Sequence, residues 1–381
     1  MGAHLSEPVT EKDTHRLQND LLSVASSAMQ GWRITMEDAH SNVLKYGGDE
    51  SAAFLAVFDG HGGSKVAKFA SEHLHQQLLD TPAYKKGDIK QAIKDALLEV
   101  DEELLKDGAA FENCGTTAVL IVLKENRLYC GNVGDSRAIA SRRGEVVELS
   151  HDHKPSNPHE TERILAAGGF VEFNRVNGNL ALSRALGDFA FKRVLDTPPD
   201  GQIVSAVADI IDIDITPDLE FAVIACDGIW DVLKNDEVVD FVRSRIAQKM
   251  DPGTICEKLL ERCLAPDCHL GSIGCDNMTA LIACFLHNGS YDDLAKKCQI
   301  MIERPPEPKE KPEVSENKVI DGDVSPNQTD INHTELTPSE SDADKTMTSD
   351  EEQQDKAINT DSSRGETEQS GEGTSSDSGV Y

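Results

Sequence analysis

The chain has 381 residues, with 68 Asp and Glu against 37 Lys and Arg and a formal net charge of −31. A protein this acidic is expected to repel nucleic acid and anionic membranes, whereas clustered carboxylates are what a cation site requires. Its nine cysteines form no CxxC pair, and the sequence shows neither a signal peptide nor a long apolar span, so we expect reduced thiols and a location in the cytoplasm or nucleus.

Composition divides the chain into four parts. Residues 303–381 consist mainly of Glu, Asp, Ser, Thr, Pro and Gln, with Tyr381 as their only aromatic residue, so they cannot bury enough apolar surface to fold. Residues 23–290 contain the apolar runs and form the predicted folded domain. We expect residues 1–22 to be an N-terminal arm, residues 291–302 a linker, and residues 303–381 a disordered acidic tail that is either phosphorylated or simply solvating.

The chain begins with a pattern typical of N-myristoylation. In MGAHLS, Gly2 is the acceptor position and Ser6 has the expected spacing. A single acyl chain without a polybasic segment binds membranes only marginally. We therefore expect any membrane contact through Gly2 to be weak and reversible.

The segment Ser26–His40 predicts a strand that carries an arginine and leads to two acids. Apolar and polar residues alternate over 32–36, which is typical of a half-buried strand. At the rim of a sheet, Arg33 could place its guanidinium on two phosphate oxygens, or it could pair with Glu37 four residues later. Asp38 adds a second carboxylate at the same place.

The sequence AFLAVFDGHGG gives the strongest local signal. A buried strand over 53–58 stops at Asp59, so this carboxylate would leave the sheet rim in a fixed position. Gly60 lets a backbone carbonyl approach a ligand, and His61 lies beside both as an acid or a base. The pattern indicates a metal site with help in proton transfer, although Asp-Gly alone also marks ordinary turns.

Similar strand-end acids recur farther along the chain. Asp227 ends a second apolar run and is followed one helical turn later by Asp231, while Asp276 directly precedes the apolar run 278–285. Asp135 lies in another predicted strand-end turn. Carboxylates held at rigid strand ends suit hard cations such as Mg²⁺ or Mn²⁺, which prefer oxygen ligands.

Amphipathic stripes predict helices that pack against these strands. The predicted helices are Ser64–Asp80, Asp88–Asp107, Pro158–Ala167, Asn235–Met250 and Thr254–Leu264. Residues 151–188 are poor in long apolar runs, and loops of this length in a compact domain are usually functional. We interpret this segment as a lid or substrate-facing insertion in which Arg184 contacts the substrate.

Two short motifs point to other chemistry. Residues 212–216 match the D-x-D-x-T of phosphatases that use an aspartate nucleophile, but alternating Ile and Asp also marks a half-exposed edge strand. Cys263, Cys268, His269 and Cys275 look superficially like zinc ligands, without the close paired spacing of such sites. We favour neither an aspartyl-phosphate enzyme nor a zinc site.

Together, the ordered segments GWRITMEDAH, FDGHGG, CGTTAV, GNVGDSRA, DHKPSNP, LALSRALGDF, CDGIWDVL and CDNMTA resemble the metal-dependent protein serine/threonine phosphatases of type 2C, the PPM family. The resemblance runs from about Gly31 to Phe285. The MGAHL beginning is similar to the animal alpha and beta subtypes, whereas the charged tail differs from their helical extension. The resemblance implies an α+β fold with a central antiparallel β-sandwich flanked on both sides by α-helices.

The resemblance also implies a catalytic centre of two Mn²⁺ or Mg²⁺ ions, bridged by Asp59 and a water or hydroxide, with a weaker third ion. The implied metal residues are Asp59, Gly60, Asp227 and Asp276, with Glu37 and Asp38 holding metal-bound waters and Asp135, Asp227 and Asp231 at the third position. Arg33 would bind the phosphate, and His61, oriented by Glu37, would protonate the leaving serine or threonine alkoxide. Phosphoproteins would be hydrolysed without a phosphoenzyme, by an enzyme that we expect to be a monomer.

Other functions stay open on sequence alone. A catalytically silent protein that binds phosphoproteins would keep the same fold, and a small-molecule phosphomonoesterase would use the same acids, because the acids do not encode a protein substrate. A metal-dependent nuclease is disfavoured, since the chain lacks a basic stripe.

Overall fold

The computed structural model describes residues 4–106, 111, 114–268 and 273–302, so Gly2, His269 and the predicted tail lie outside the described residues. The strands are β1 (His4–Gln18), β2 (Leu22–Arg33), β3 (Ala39–Leu44), β4 (Ala53–Phe58), β5 (Gly60–His61), β6 (Gly115–Thr116), β7 (Ala118–Lys124), β8 (Arg127–Val133), β9 (Arg137–Arg142), β10 (Glu145–Glu148), β11 (Val171–Glu172), β12 (Arg175–Val176), β13 (Leu186–Gly187), β14 (Asp209–Asp214), β15 (Leu219–Ala225) and β16 (Met278–Phe285).

The helices are α1 (Lys65–Asp80), α2 (Pro82–Lys85), α3 (Ile89–Lys106), α4 (Pro158–Ala166), α5 (Asp227–Trp230), α6 (Asn235–Ala247), α7 (Pro252–Cys263) and α8 (Tyr291–Ile302). Each predicted amphipathic stripe forms a helix within a few residues of its expected bounds. Helix α7 begins at Pro252, whose fixed backbone suits a first turn, and the Asp251 side chain accepts a hydrogen bond from the Thr254 amide. Within the described residues, no helix is long and apolar enough to cross a membrane.

Two antiparallel sheets form the centre of the domain. One sheet has the order β1-β2-β16-β15-β9-β10, and the other has the order β14-β8-β7-β4-β3. A short sheet of β13, β6 and β5 and the hairpin of β11 with β12 lie outside these two. Every strand pair in the two large sheets is antiparallel.

Strand β4 shows how the layers arise. Its side chains are apolar on both faces: Phe54 and Phe58 pack with α1 and α3, whereas Leu55 and Val57 pack against the six-stranded sheet. All four side chains are fully buried, and each stabilises the fold by about 2–3 kcal/mol. Helices α6, α7 and α8 cover the outer face of the six-stranded sheet in the same way. The predicted sandwich of two sheets between two helical layers is confirmed.

Strand β2 ends earlier than the alternation over 32–36 predicts. The Gln30 side-chain amide donates to the carbonyl oxygens of Arg33 and Ile34, at 2.9 and 3.0 Å. These two carbonyls would otherwise be available for hydrogen bonds to a neighbouring strand. Ile34 is 55% exposed as a result. Arg33 is therefore the last residue of the strand, at the rim of the sheet.

Most of the predicted N-terminal arm is an edge strand. β1 pairs with β2 in antiparallel register, with an irregularity around Val9. Two ion pairs hold it in place, one from Lys12 to Glu261 of α7 and one from Arg16 to Asp251, the residue that caps α7. The strand was not predicted because its side chains are mostly polar. An edge strand pairs on one side only and does not need an apolar run.

The prediction of a linker at 291–302 is wrong. These residues form α8, in which Leu294, Ala295 and Cys298 are buried against the cluster under α6 and α7. Their spacing places them on one helical face, and three small or medium apolar residues suffice to attach a short terminal helix.

The expectation that all cysteines are reduced is wrong for one pair. Cys268 and Cys275 form a disulfide, whereas Cys263 is buried in the core contact of α7. This arrangement gives no support to a zinc site that uses Cys263 together with Cys268 and Cys275. The free cysteines of the described residues are all buried.

Candidate active site

A cavity of about 400 Å³ opens where strands of both sheets end. The predicted site residues that line it are Arg33, Glu37, Asp59, Gly60, His61, Asp135, Asp227 and Asp276. Asp59 follows β4 of the five-stranded sheet, whereas Asp227 and Asp276 flank β15 and β16 of the other sheet. Packing the two sheets face to face therefore brings these three acids to one place.

Asp59 and Asp227 are held where their negative charge is unfavourable. The backbone of Asp59 exchanges hydrogen bonds with Thr117, whose amide donates to the Asp59 carbonyl at 2.9 Å. Burial raises the pKa of Asp59 and of Asp227 well above the usual range of a carboxyl, and the neighbouring carboxylates raise both further. A bound divalent cation would remove this cost, so the donor set fits such an ion.

Asp38 is not among the residues that line the cavity, but it adds a second indication of a cation. Its Oδ2 accepts a hydrogen bond from Thr279 Oγ1 at 2.7 Å, but its buried Oδ1 has no hydrogen-bond partner in the described part of the chain. Burial raises the pKa of Asp38 to about 7. Carboxylate oxygens of Asp38 and Asp59 and the Cys226 sulfur lie within 4.8 Å of one another. An orphaned buried oxygen at this point is what a metal ligand or its water would satisfy.

Gly60 can approach the centre because it has no side chain. A Cβ at this position would lie 2.3 Å from the Glu37 carbonyl oxygen, which real Cβ atoms do not tolerate. The backbone of Gly60 also pairs with Thr116 in the short sheet. The position therefore needs glycine for close packing against the Glu37 backbone, and the approach of its carbonyl to a ligand stays a prediction.

Asp276 orients Arg33, and Asn277, which the sequence analysis did not single out, fixes the backbone around it. Its Nη2 donates to Asp276 Oδ2 at 2.6 Å. Asn277 accepts from the Glu37 amide at 3.0 Å and donates to the carbonyl oxygens of Gln30 and Thr35, at 2.8 and 3.0 Å. This buried side chain ties the loop after β2 to β16. Its signal in the sequence was its place in CDN, directly after Asp276.

The prediction that Glu37 orients His61 is wrong. His61 Nε2 lies 2.7 Å from Asp188 Oδ2, and Asp188 is almost fully buried. Glu37 instead accepts hydrogen bonds from Thr35 Oγ1 at 2.8 Å and from the Gly63 amide at 3.1 Å. Burial lowers the pKa of His61, but the charge and the hydrogen bond of Asp188, together with the charges of Asp135 and Glu37, raise it overall.

Asp135 and Asp231 lie beside the centre. Lys154 Nζ contacts the buried Asp135 carboxylate at 2.5 Å. Asp231 is exposed and does not line the cavity, but its charge adds to the effect of burial in raising the pKa of Asp135. The backbone amide of Asp231 donates to the Asp227 carbonyl at 2.8 Å, as the helical spacing predicts. The acids expected at a third cation are therefore near one another, with a lysine among them.

The structure gives no support to the prediction that Arg184 contacts the substrate. Its guanidinium donates to Glu160, Asp209 and the Val207 carbonyl, its side chain is 15% exposed, and it is absent from the described cavity lining. These acceptors use its donors, so none is directed at the cavity. The same segment contributes Arg175 and residues 179–182 to the cavity wall instead.

The D-x-D-x-T alternative is not supported by the structure. Asp212 lies on edge strand β14 and forms ion pairs with Lys90 and Arg127, away from the cavity. Both cations lower its pKa, so this carboxylate is a stable structural anion. Its alternation with Ile213 reflects a half-exposed edge strand.

Comparison with known proteins decides the family. A family model described as protein phosphatase 2C matches residues 22–270. The chain belongs to the protein phosphatase 2C family. It is 54% identical over 299 residues to probable protein phosphatase 2C T23F11.1 of Caenorhabditis elegans, covering 78% of this chain and 84% of the relative. It is 45% identical over 300 residues to protein phosphatase 2C homolog 2 of Schizosaccharomyces pombe, covering 77% and 81%.

Solved structures agree on the fold. Serine-threonine phosphatase 2C from Toxoplasma gondii matches 74% of this chain and 98% of its own, with a TM-score of 0.61 and 24% identity. At that identity the likeness supports the architecture alone. Membership of the family confirms the expected activity: this phosphatase is a metal-dependent protein serine/threonine phosphatase.

Proposed function

We propose that this phosphatase hydrolyses phosphoserine and phosphothreonine in proteins with two Mn²⁺ or Mg²⁺ ions and a weaker third. The observation that carries the proposal is the convergence of Asp59, Asp227 and Asp276 from two sheets on one cavity. Together with the Gly60 carbonyl, these residues would hold the two metal ions, and Glu37 and Asp38 would hold metal-bound waters. Asp135 and Asp231 would serve the third ion. Divalent cations held there supply hydroxide at neutral pH, because coordination lowers the pKa of water.

The remaining steps belong to the chain's own side chains. Arg33 stays charged because Asp276 and the other acids offset its burial, so its guanidinium can bind the phosphate oxygens. His61 lines the same cavity and delivers a proton to the departing alkoxide, which is a poor leaving group without one. Because the bound cations would supply the nucleophile, the proposal needs no side-chain nucleophile and no phosphoenzyme.

The experiment measures phosphate release from a phosphothreonine peptide with Mn²⁺, with Mg²⁺ and with EDTA. We expect turnover that depends on the divalent cation, is abolished by EDTA and is lost in Asp227→Asn together with Mn²⁺ binding. Asp212→Asn is the matched control, since that carboxylate lies outside the cavity, and it should retain turnover. Absence of turnover in the folded wild-type protein with either cation would refute catalysis and support a phosphoprotein-binding role.

We also propose a cytoplasmic and nuclear monomer in signalling whose membrane contact, through myristoylated Gly2, is weak and reversible. The support is the MGAHLS pattern and the lack of a polybasic segment near it. Fractionation of cells that express the wild-type chain or Gly2→Ala tests the attachment, and an unchanged membrane fraction would refute it. Sedimentation of the purified chain tests the monomer.

A further inference from the structure

Three short strands from distant parts of the chain meet beside the cavity. β5, β6 and β13 form one sheet, in which Gly60 pairs with Thr116, His61 with Gly115, and Leu186 with Thr116. The sheet places the residue after β13, Asp188, next to His61. A local sequence pattern could not show this pairing, since 127 residues separate the two side chains.

The contact between His61 and Asp188 depends on a glycine between them. A Cβ on Gly115 would lie 2.2 Å from Asp188 Oδ2 and 2.5 Å from His61 Nε2. The two side chains therefore occupy the space that any other residue at this position would fill. This geometry explains why glycine stands at the centre of the short sheet.

Asp188 is held by its own backbone as well as by the sheet. It adopts a left-handed conformation with φ of 50°, and its amide donates to the Cys114 carbonyl at 3.0 Å. The preceding amide, of Gly187, donates to Asp101 Oδ1 at 2.7 Å, and Lys192 Nζ holds the same carboxylate at 2.8 Å. A non-glycine residue in this conformation is strained, so its surroundings fix the position of its side chain.

We propose that Asp188 is the positioning residue for His61 and thereby assigns Nδ1 as the atom that donates the proton to the leaving group. A carboxylate accepts only, so Nε2 carries a hydrogen toward Asp188. His61 lines the cavity, and within the described residues its Nδ1 has no protein hydrogen-bond partner. The inference rests on the proposed role of His61 as general acid.

The proton transfer balances without any further reactant. As the phosphorus–oxygen bond breaks, the Nδ1–H bond of the imidazolium breaks and an O–H bond forms on the departing serine or threonine. The neutral imidazole that remains keeps its hydrogen on Nε2, bonded to Asp188. Water returns the proton to Nδ1 before the next cycle.

The test compares two substrates that differ in their need for a proton. A phosphothreonine peptide releases a poor leaving group, whereas p-nitrophenyl phosphate releases a phenolate that departs unaided. We expect Asp188→Asn to lower kcat on the peptide about 10²-fold and to change kcat on p-nitrophenyl phosphate little. Equal losses on both substrates would overturn the proposal, because a loss of structure affects both reactions alike.

Two further variants guard against a folding defect in Asp188→Asn. Gly115→Ala separates the pair without removing either side chain and should show the same loss confined to the peptide. His61→Ala combined with Asp188→Asn should be no slower on the peptide than His61→Ala alone, because residues that act as a unit are not additive. A further loss in the double variant would assign Asp188 a separate role and refute the proposal.

Nitrogen-15 NMR of the His61 imidazole tests the geometry without turnover. The neutral ring should carry its hydrogen on Nε2 in the wild-type protein and should populate both tautomers in Asp188→Asn. Identical spectra would contradict the assignment. Absence of phosphate release by the wild-type chain would refute the proposed function. The spectrum would still test the contact between His61 and Asp188, so the two failures are distinguishable.

Discussion

Replacing Asp38 by Asn tests whether the centre stores unfavourable charge when cations are absent. Burial raises the pKa of this carboxyl from 3.8 to about 7. One pKa unit corresponds to about 1.4 kcal/mol, so ionised Asp38 destabilises the metal-free protein by about 4 kcal/mol at pH 7. Asn is neutral, has the same shape and keeps an oxygen for the Thr279 hydroxyl. Metal-free Asp38→Asn should therefore be the more stable protein by about that amount.

The sign follows from the direction of the shift. A raised pKa means that the folded state binds more protons than the unfolded state, so stability of the wild-type protein falls as pH rises from 3.8 toward 7. The advantage of Asp38→Asn should shrink to about 2 kcal/mol at pH 5. In Mn²⁺ the order should reverse, since a cation that binds only the folded state stabilises it.

Guanidinium unfolding in EDTA, followed by the fluorescence of Trp32 and Trp230, measures this difference. Asp212→Asn is the control with the opposite sign, because hydrogen bonds from Lys90 and Arg127 lower the pKa of that carboxyl. A metal-free Asp38→Asn no more stable than the wild type at pH 7 would show that the Asp38 charge carries no cost, and would refute the electrostatic account of the site.

Two further substitutions test the ion pairs around Glu160 and the packing of helix α8. Burial alone would raise the pKa of Glu160, but hydrogen bonds from Arg184 and Ser183 lower it, so its stabilisation is present above the unfolded pKa and is lost as pH falls through the folded pKa. Glu160→Gln should cost about 3–5 kcal/mol at pH 7, with a smaller difference in acid; equal urea midpoints would contradict this. Leu294→Ala should lower the free energy of unfolding by about 2–5 kcal/mol in the same measurement. An unchanged midpoint would support the predicted linker at 291–302 instead.

The sequence was sufficient to place Asp59 and Asp227 at strand ends, because that position depends only on the apolar run directly before each acid. A short, fully apolar run such as Ala53–Phe58 predicts a strand buried on both faces, and the first polar residue after it is then expected at the rim. Asp59 and Asp227 both follow this rule. That the two rims meet was implied by the family resemblance and not by either run alone, since packing between sheets is not visible in local patterns.

The errors share one physical cause, which is that partners distant in the chain decide a side chain's role. Arg184 looked available for substrate until Glu160 and Asp209 were placed beside it, 24 and 25 residues away. Asp188 was given no role because its partner, His61, lies 127 residues away on another strand. The helix at 291–302 was missed because its few apolar residues hold it in place only by packing against the cluster under α6 and α7, which is distant in the chain.

The division of the acids between two sheets has a consequence for folding. Neither half of the sandwich contains a complete set: Asp59 comes with one sheet, and Asp227 and Asp276 come with the other. Until the sheets have docked, cations meet only isolated surface carboxylates, which hold them weakly. If these acids hold the cations as proposed, a newly made chain would stay inactive until its two sheets have docked.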